Sequence, residues 1–392
     1  MSGCSEKFSG SGFLTEIRKQ KSENPMSFLK KLIFLGVLLT LGGTALGGGN
    51  DFQAPQPGRV FKFPRDHGAH PEFQTEWWYW TGHLESASGE SFGYQLTFFR
   101  AALRRPDPQA RSAWSFHTVY FAHLAVSDVR GRRFVFREKA GREALGLSGA
   151  RTESLKVWID SWQAEIKDED FYLSARDGDL GLNLVLTPRK PPILHGENGF
   201  SRKAAQHPGA SHYYSMTRLD TRGRITVAGR DLEVKGESWM DHEFFTGAPA
   251  PDQVGWDWFA LQLDDGGEVM LYLLRRQDGT PDAASSGTYI DPQGRPRHLT
   301  LGDFQVKTAG VWKSPHSKAA YPGGWEIVIP ALGYRLNLTP SLADQEIRAQ
   351  VPARLAYWEG QVAIQGEKNR QPVSGKGYVE LTGYAGPMKG WF

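Results

Sequence analysis

The chain has 392 residues, of which 23% are charged and 12% aromatic, a composition typical of globular proteins and not of disordered or fibrous ones. Its 46 Lys and Arg residues nearly balance 43 Asp and Glu residues, and no long basic run accompanies the net charge of +3. The charge pattern therefore argues against nucleic-acid binding. Because the length exceeds what one core usually fills, we expect two domains or two packed halves.

The N-terminal segment is predicted to contain a signal peptide over residues 26–47, preceded by an upstream extension over residues 1–25. Two lysines precede an apolar run from 32 to 41, and small residues follow that run. We expect cleavage, since the run is half of the roughly 20 residues that a membrane span needs; an uncleaved anchor is the alternative. The signal peptide implies a mature protein that is periplasmic or secreted. The one cysteine, Cys4, lies in the extension, so we expect the mature protein to lack disulfide bonds.

Beyond residue 51 the sequence predicts β-structure nearly throughout. Short alternating or aromatic-rich runs are separated by Gly, Pro and Asp turn signals, and helical periodicity is hard to find. The clearest runs are GYQLTFFR (93–100), FHTVYFAHLAV (116–126), LKVWID (155–160), LGLNLVLTP (180–188), RITVAG (224–229), EVMLYLLR (268–275) and WEIVIP (325–330). Many short strands at close spacing favour barrels or sandwiches, so we expect an all-β protein.

The chain also contains a degenerate internal duplication. Trp78-x-Trp80 and Trp256-x-Trp258 each begin a strand that leads, through a turn containing Gly, to a second strand ending in Arg. Four further matches follow in the same order: WQAEI (162–166) with WEIVI (325–329), LNLVLTP (182–188) with LNLTP (336–340), Tyr213-Tyr214 with Tyr357-Trp358, and Lys235-Gly236 with Lys376-Gly377. We therefore predict two related β domains, over residues 51–240 and 241–392.

Five motifs follow one another along nearly the whole mature chain: EWWYWTGHL, FAHLAVSD, GESWMDHEF, GWDWFALQLDDGGEVMLYLLR, and YWEGQVAIQG with GKGYVELTGY. Together they resemble the signatures of the carotenoid hydratase and AttH-like family. The family includes hydroxyneurosporene synthases and exported proteins labelled secreted hydrolases. The resemblance implies two lipocalin-like antiparallel β-barrel domains that enclose an apolar substrate, a scaffold that members share although they do not share one reaction.

A carboxylate accompanies the aromatic run QTEWWYW. In a strand, Glu76 shares one face with Trp78 and Trp80, while Trp77 and Tyr79 lie on the other. A small barrel holds one ligand or a filling of side chains, so these rings either line a cavity or pack as core. In a dry cavity the pKa of Glu76 would be raised, and the carboxyl group could donate a proton at neutral pH.

A second chemical cluster, WMDHEF, lies shortly before the aromatic pair Trp256 and Trp258. In a strand, Asp241 shares a face with Glu243, and His242 points to the opposite side. We expect one of these faces to line a cavity. The alternative is structural, with Asp241 in a turn and His242 as a core histidine.

The resemblance to carotenoid hydratases implies a site with a His-x-Trp pair and a Tyr-x-Asp pair, in which the Asp protonates a double bond and aromatic rings stabilise the carbocation. The first pair falls here on His242 and Phe244, and the second on Tyr272 and Leu274. The acid of that site is therefore missing, and hydration needs Asp241 or Glu76 as the proton source.

These patterns define the candidate site. The predicted catalytic residues are Glu76, Asp241, His242 and Tyr272, and the predicted ligand-binding residues are Trp78, Trp80, His123, Phe244, Trp256 and Trp258. No G-x-S-x-G motif, P-loop or dinucleotide fingerprint is present, so the hydrolase label has no recognisable nucleophile and no cofactor is expected. Asp66, His67, His70 and Glu72 lie in a Gly-Pro loop rather than on a helix face, so we expect no metal site there.

Three hypotheses follow for the function. The protein binds an apolar small molecule or lipid without changing it, or it is an enzyme that protonates, hydrates or cyclises such a molecule, or it is an accessory partner of an envelope transport or attachment system. The missing Tyr-x-Asp acid favours binding over catalysis. The sequence predicts neither the ligand nor the oligomeric state.

Overall fold

The computed structural model describes residues 52–105, 117–351 and 354–386. The predicted upstream extension and signal peptide lie outside these residues. The described chain is all-β, as predicted, apart from short 3-10 helices at Arg65–His67, Leu301–Asp303 and Pro330–Leu332. None of its helices is long and apolar enough to cross a membrane.

The first sheet contains 13 antiparallel strands in the described chain. They are β1 (Thr75–Ser86), β2 (Ser91–Ala102), β3 (Thr118–Asp128), β4 (Arg133–Arg142), β5 (Ser148–Ala150), β6 (Lys156–Ile159), β7 (Trp162–Lys167), β8 (Asp170–Asp177), β9 (Leu180–Pro188), β10 (Ile193–Leu194), β11 (Phe200–Arg202), β12 (Ala210–Val227) and β13 (Arg230–Phe245). The main path runs β4-β3-β2-β1-β13-β12-β9-β8-β7-β6-β5. Since β4 also contacts β5 and β6, the sheet is nearly closed into a barrel.

A second antiparallel sheet and a short hairpin follow in the described chain. Their strands are β14 (Gln253–Leu263), β15 (Glu268–Arg276), β16 (Ser286–Ile290), β17 (Pro296–Thr300), β18 (Gln305–Thr308), β19 (Val311–Lys313), β20 (Ala320–Pro322), β21 (Trp325–Ile329), β22 (Tyr334–Pro340), β23 (Glu346–Ala349), β24 (Leu355–Lys368) and β25 (Gln371–Leu381). The path of the sheet runs β17-β16-β15-β14-β25-β24-β22-β21-β18, with β23 beside β24 and with β19 and β20 as a separate pair. Each sheet packs its own apolar core on one face.

The two paths support the predicted duplication and correct part of its alignment. The order β4-β3-β2-β1-β13-β12-β9-β8-β7 repeats as β17-β16-β15-β14-β25-β24-β22-β21-β18. The aromatic pairs of β12 and β24 fall on equivalent strands. WQAEI lies in β7, however, whereas WEIVI lies in β21, which takes the place of β8. That match is therefore wrong by one strand.

The match between the two Trp-x-Trp motifs is wrong by one residue. Trp77 pairs with Phe99 in β2, and Trp256 pairs with Leu274 in β15, so Trp77 is the residue equivalent to Trp256. A slip of one residue moves every side chain of a strand to the other face. As a result, Trp78 corresponds to Asp257, and not to Trp256.

Hydrogen bonds between buried side chains and backbone join the two sheets where their second faces meet. Tyr79 donates to Glu359 Oε1 over 2.6 Å, and His83 Nε2 lies 2.8 Å from the carbonyl oxygen of Gly377. At another point of the interface, Arg218 Nε lies 2.6 Å from the buried carboxylate of Glu268. The sheets are thus held at fixed positions relative to one another across an interface that contains polar groups.

Candidate functional site

The alternation of β1 separates the aromatic run into two environments. Trp78 and Trp80 are fully buried in the core of the first sheet, on the same face as Glu76. Trp77 and Tyr79 lie on the opposite face and line a cavity at the interface of the two sheets. The predicted alternation is confirmed, but the expectation that Trp78 and Trp80 line a cavity is wrong, because their face is closed by core packing.

The interface cavity has a volume of about 300 Å³ and is bordered on one side by the segment 246–251 that links the sheets. Its wall is mostly apolar, is rich in aromatic side chains and comes from both sheets. The aromatic lining residues are Trp77, Tyr79, Phe99, Tyr213, Phe245, Trp256, Trp258, Tyr272 and Tyr357. Such a wall, with a few polar groups placed in it, is typical of sites for small apolar ligands.

Asp241 is the acid that the first sheet places in this cavity. Its carboxyl group accepts hydrogen bonds from Tyr213 Oη and Trp239 Nε1, both over 2.6 Å, and from the hydroxyl of Ser215. Trp258 Nε1 in turn donates to Tyr213 Oη over 3.0 Å. Burial raises the pKa of Asp241 to about 7, although its three donors act to lower it. The group therefore changes protonation state near neutral pH.

The second sheet places another acid, Glu380, in the same cavity. Burial raises the pKa of Glu380 to about 7, against the lowering effect of the hydrogen bond that Trp256 Nε1 donates over 2.7 Å. Glu359 lies directly opposite Glu380 on β24 and is fully buried. Burial and repulsion from Glu380 hold the pKa of Glu359 well above its usual range, and it accepts a hydrogen bond from Tyr79.

A lysine and a third acid form an ion pair at the edge of the cavity. Lys203 Nζ lies 2.7 Å from Glu243 Oε1 and 4.5 Å from the ring centre of Tyr272. Burial acts to lower the pKa of Lys203, but Glu243 outweighs it and raises the pKa above its ordinary value. The hydroxyl of Tyr272 lies 3.0 Å from Ser201 Oγ. The opposite charges of Lys203 and Glu243 thus offset each other on this side of the cavity.

Glu76 lies on the other face of β1, inside the first sheet, where cations and donors surround it. Oε1 lies 2.8 Å from both His70 Nδ1 and His242 Nε2, and Oε2 accepts from Arg100 Nε over 2.9 Å. Burial acts to raise the pKa of Glu76, but Arg100 and His70 outweigh it and hold the pKa well below its usual range. The predicted raised pKa of Glu76 is therefore wrong, because the sequence did not reveal the partners.

His242 belongs to this interior network and not to the cavity. Its Nδ1 lies 3.0 Å from Tyr214 Oη, which lies 2.7 Å from His67 Nδ1. Burial lowers the pKa of His242 to about 4 and that of His67 to about 3. Phe244 covers the network, with its ring stacked 3.6 Å from that of His70. The polar groups of this network thus have hydrogen-bond partners within it and are closely packed.

Residues 54–384 match the family described as AttH-like. A structure assigned as an AttH protein from Nitrosomonas europaea is 34% identical, with a TM-score of 0.76 and coverage of 85% of this chain and 100% of that one. The chain belongs to the AttH-like family. The structure of kievitone hydratase from Nectria haematococca is 14% identical, with a TM-score of 0.65 and coverage of 86% and 96%, and it shares the fold. No curated protein matches the chain.

The interior network of this AttH-like protein contains residue types that can bind a metal ion. His70, Glu76 and His242 bring ligand atoms within 4.8 Å of one another. However, His70 Nδ1 lies 2.8 Å from Glu76 Oε1 and His70 Nε2 lies 2.9 Å from Asp66 Oδ1, so both ring nitrogens already have carboxylate partners. With Arg100 on the other oxygen of Glu76, the hydrogen bonds already satisfy the group, and the residues fit a metal poorly.

The structure divides the predicted site residues of this AttH-like protein into two groups. Asp241, Tyr272, Trp256 and Trp258 line the interface cavity. Glu76, His242, Phe244, Trp78 and Trp80 lie instead in the interior of the first sheet. His123 is fully buried at the interface, where its Nδ1 lies 2.7 Å from Tyr357 Oη, and burial lowers its pKa to about 3.

Sequence reasoning missed three polar groups of the AttH-like site, namely Glu380, Glu359 and Lys203. A signal for the first of them was present. Had Gly236 been aligned with Gly375 and not with Gly377, Glu380 would have fallen at the position equivalent to Asp241. None of the sequence matches of the repeat covers Lys203, so no comparable signal pointed to it.

Proposed function

We propose that the protein binds a small, apolar, unsaturated molecule in the interface cavity and that buried carboxyl groups of the cavity, Asp241 among them, transfer protons during its conversion. The proposal rests on one observation: a buried carboxyl group with a pKa of about 7 lies in a cavity whose apolar wall is rich in aromatic side chains. An acid or base is most effective in catalysis when its pKa is close to the working pH. Aromatic faces stabilise a positive charge that develops beside them.

Addition of water to a carbon–carbon double bond is the reaction class that we propose. Protonation of such a bond leaves a carbocation, which the rings of Trp77, Trp256 and Trp258 would stabilise, and water then completes the reaction. Kievitone hydratase, which shares the fold, is named for a hydration. The volume of about 300 Å³ lies at the lower end of the range for ligand sites, which favours a short molecule or one end of a longer one.

Turnover can be tested without knowledge of the natural substrate. We would incubate the protein with geraniol, β-ionone and short isoprenoid alkenes in deuterated water, and measure incorporation of deuterium at carbon by mass spectrometry. We expect incorporation with at least one probe, and slower incorporation in Asp241→Asn. Binding of a probe by calorimetry without any incorporation would instead indicate a carrier that does no chemistry.

We also propose that the protein is exported to the periplasm or secreted, on the basis of the signal-peptide pattern at residues 26–47. Edman sequencing of the protein recovered from a periplasmic fraction tests this. We expect a mature N-terminus close to residue 48. A cytoplasmic protein that retains residues 26–47 would contradict the proposal.

A further inference from the structure

Asp241 and Glu380 occupy equivalent positions in the two sheets. Asp241 pairs with Tyr79 of β1, and Glu380 pairs with Trp258 of β14. Tyr79 lies two residues after Trp77, which pairs with Phe99, and Trp258 lies two residues after Trp256, which pairs with Leu274. Tyr79 and Trp258 are therefore equivalent. The duplication has therefore placed one acid on each wall of the same cavity.

The two acids receive different support from their surroundings. Asp241 accepts hydrogen bonds from a phenol, a serine hydroxyl and an indole, and three donors stabilise a carboxylate more than a carboxylic acid. Within the described residues, Glu380 accepts one hydrogen bond, from the indole of Trp256. The hydrogen bonds thus stabilise the ionised form of Asp241 more than that of Glu380.

Glu359 adds to this difference. It lies opposite Glu380 in the β24–β25 pair, where side chains of directly opposed residues are about 5 Å apart at Cβ. Glu359 Oε2 is buried without a hydrogen-bond partner in the described structure. Two carboxyl groups at such a separation do not ionise together readily. The wall formed by the second sheet therefore retains protons, whereas the wall formed by the first sheet stabilises a negative charge.

We propose that Asp241 and Glu380 act as an acid–base pair, in which Glu380 donates a proton to the double bond of the ligand and Asp241 accepts a proton from the attacking water. In the first step, the π electrons form a C–H bond as the O–H bond of Glu380 breaks. In the second, water forms a C–O bond to the cation and loses a proton to Asp241. One water is added overall, and proton exchange through solvent from Asp241 to Glu380 restores the pair.

The other titratable groups around the pair differ in what they contribute. Lys203 and Glu243 neutralise one another at the edge of the cavity. Glu359 is held protonated behind Glu380. The tyrosines that line the cavity are Tyr79, Tyr213, Tyr272 and Tyr357. Behind its wall, His123 contacts Tyr357, Tyr378 packs with Tyr79, and His195 contacts Ser215, a donor to Asp241. Burial raises the pKa of Tyr79 and Tyr213 well above the ordinary value, so neither titrates near neutral pH.

The proton assignment can be tested without a substrate. Infrared difference spectra of the whole mature protein, recorded as the pH is raised from 4 to 9, follow the loss of carboxylic acid bands. We expect two steps in the wild type, an earlier one that Asp241→Asn removes and a later one that Glu380→Gln removes. Removal of the later step by Asp241→Asn, or of neither step by either variant, would overturn the assignment.

Two milder variants keep the test valid if a carboxyl variant fails to fold. Tyr213→Phe removes one donor from Asp241 and should move only the earlier step to higher pH. Trp256→Phe removes the donor of Glu380 and should move only the later step to higher pH. The opposite pattern would reverse the roles of the two acids.

The roles of Asp241 and Glu380 as base and acid rest on the proposed function. An isotope experiment distinguishes a failure of these roles from a failure of the proposed function. In deuterated water containing oxygen-18, Glu380→Gln should lose both deuterium and oxygen-18 incorporation into the reactive probe. Asp241→Asn should lose oxygen-18 incorporation but retain slow deuterium exchange, because the cation forms and reverts. Equal loss of both labels in the two variants would refute the division of roles, and no label in the wild type would refute the proposed function alone.

Discussion

Glu76 and Asp241 are buried carboxyl groups on opposite faces of the neighbouring strands β1 and β13, and they behave in opposite ways. Burial acts to raise the pKa of both. At Glu76, an arginine and two histidines reverse that effect. At Asp241, three neutral donors only reduce it, and the pKa stays at about 7. Burial therefore leaves the pKa of a carboxyl group raised only where, as at Asp241, its hydrogen-bond partners are neutral.

The largest effect is expected from Glu76→Gln. Removal of the anion leaves Arg100 and His70 buried without their partner, and we expect the free energy of unfolding to fall by about 3–5 kcal/mol at pH 7. The pKa of Glu76 is lowered, so its stabilisation is present above the ordinary value of 4.5 and is lost as the pH falls further. Urea denaturation measures the change. The exposed Glu233→Gln is the control, with an expected change below about 0.5 kcal/mol.

Unlike Glu76→Gln, Asp241→Asn should increase the free energy of unfolding relative to the wild type as the pH rises. Because the pKa of Asp241 is raised from 3.8 to about 7, ionisation costs the folded wild type stability between those two values and the variant none. Relative to the wild type, we expect the variant to gain up to roughly 4 kcal/mol between pH 4 and pH 8. Denaturant titrations at both pH values compare the two proteins. A difference that does not depend on pH would contradict the raised pKa.

Substitution of one tryptophan in the core and of one in the cavity wall should affect ligand binding differently. Trp78→Phe should lower the free energy of unfolding by about 1–3 kcal/mol without altering the affinity for a bound probe such as β-ionone, because Trp78 lies in the core. Trp256→Phe removes the hydrogen bond to Glu380 and should lower the free energy of unfolding by about 1 kcal/mol, but it should also weaken binding up to about tenfold, since it alters the cavity wall. Calorimetry measures both affinities. Equal weakening by the two variants would place the ligand elsewhere.

The smallest effect concerns the connection of the two sheets. Tyr79→Phe removes the hydrogen bond to Glu359, and we expect a loss of about 1 kcal/mol in the free energy of unfolding. Trp77→Phe, two residues away on the same face of the strand, leaves the bond between Tyr79 and Glu359 in place and is the comparison. A Tyr79→Phe variant as stable as the wild type would show that this bond does not help to join the sheets.

The sequence predicted the all-β fold and the repeat, because alternation and turn residues are local signals. Alternation also separated Glu76 from Tyr79 correctly. It could not decide which face of β1 met the second sheet, and so Trp78 and Trp80 were placed in a cavity that Trp77 and Tyr79 line. The protonation of Glu76 depends on Arg100 and on a histidine from β13, which lies 166 residues away in the chain. Such long-range contacts have no local sequence pattern.

The position of the cavity on the interface between repeated sheets has a consequence for selectivity. In a symmetric dimer of one such sheet, any substitution would alter both walls at once, and the site would treat the two ends of a ligand alike. Here each wall is encoded separately, which allows an aspartate on one and a glutamate on the other. A single chain can therefore orient an asymmetric molecule, and its preference for one end over the other can change through one mutation at a time.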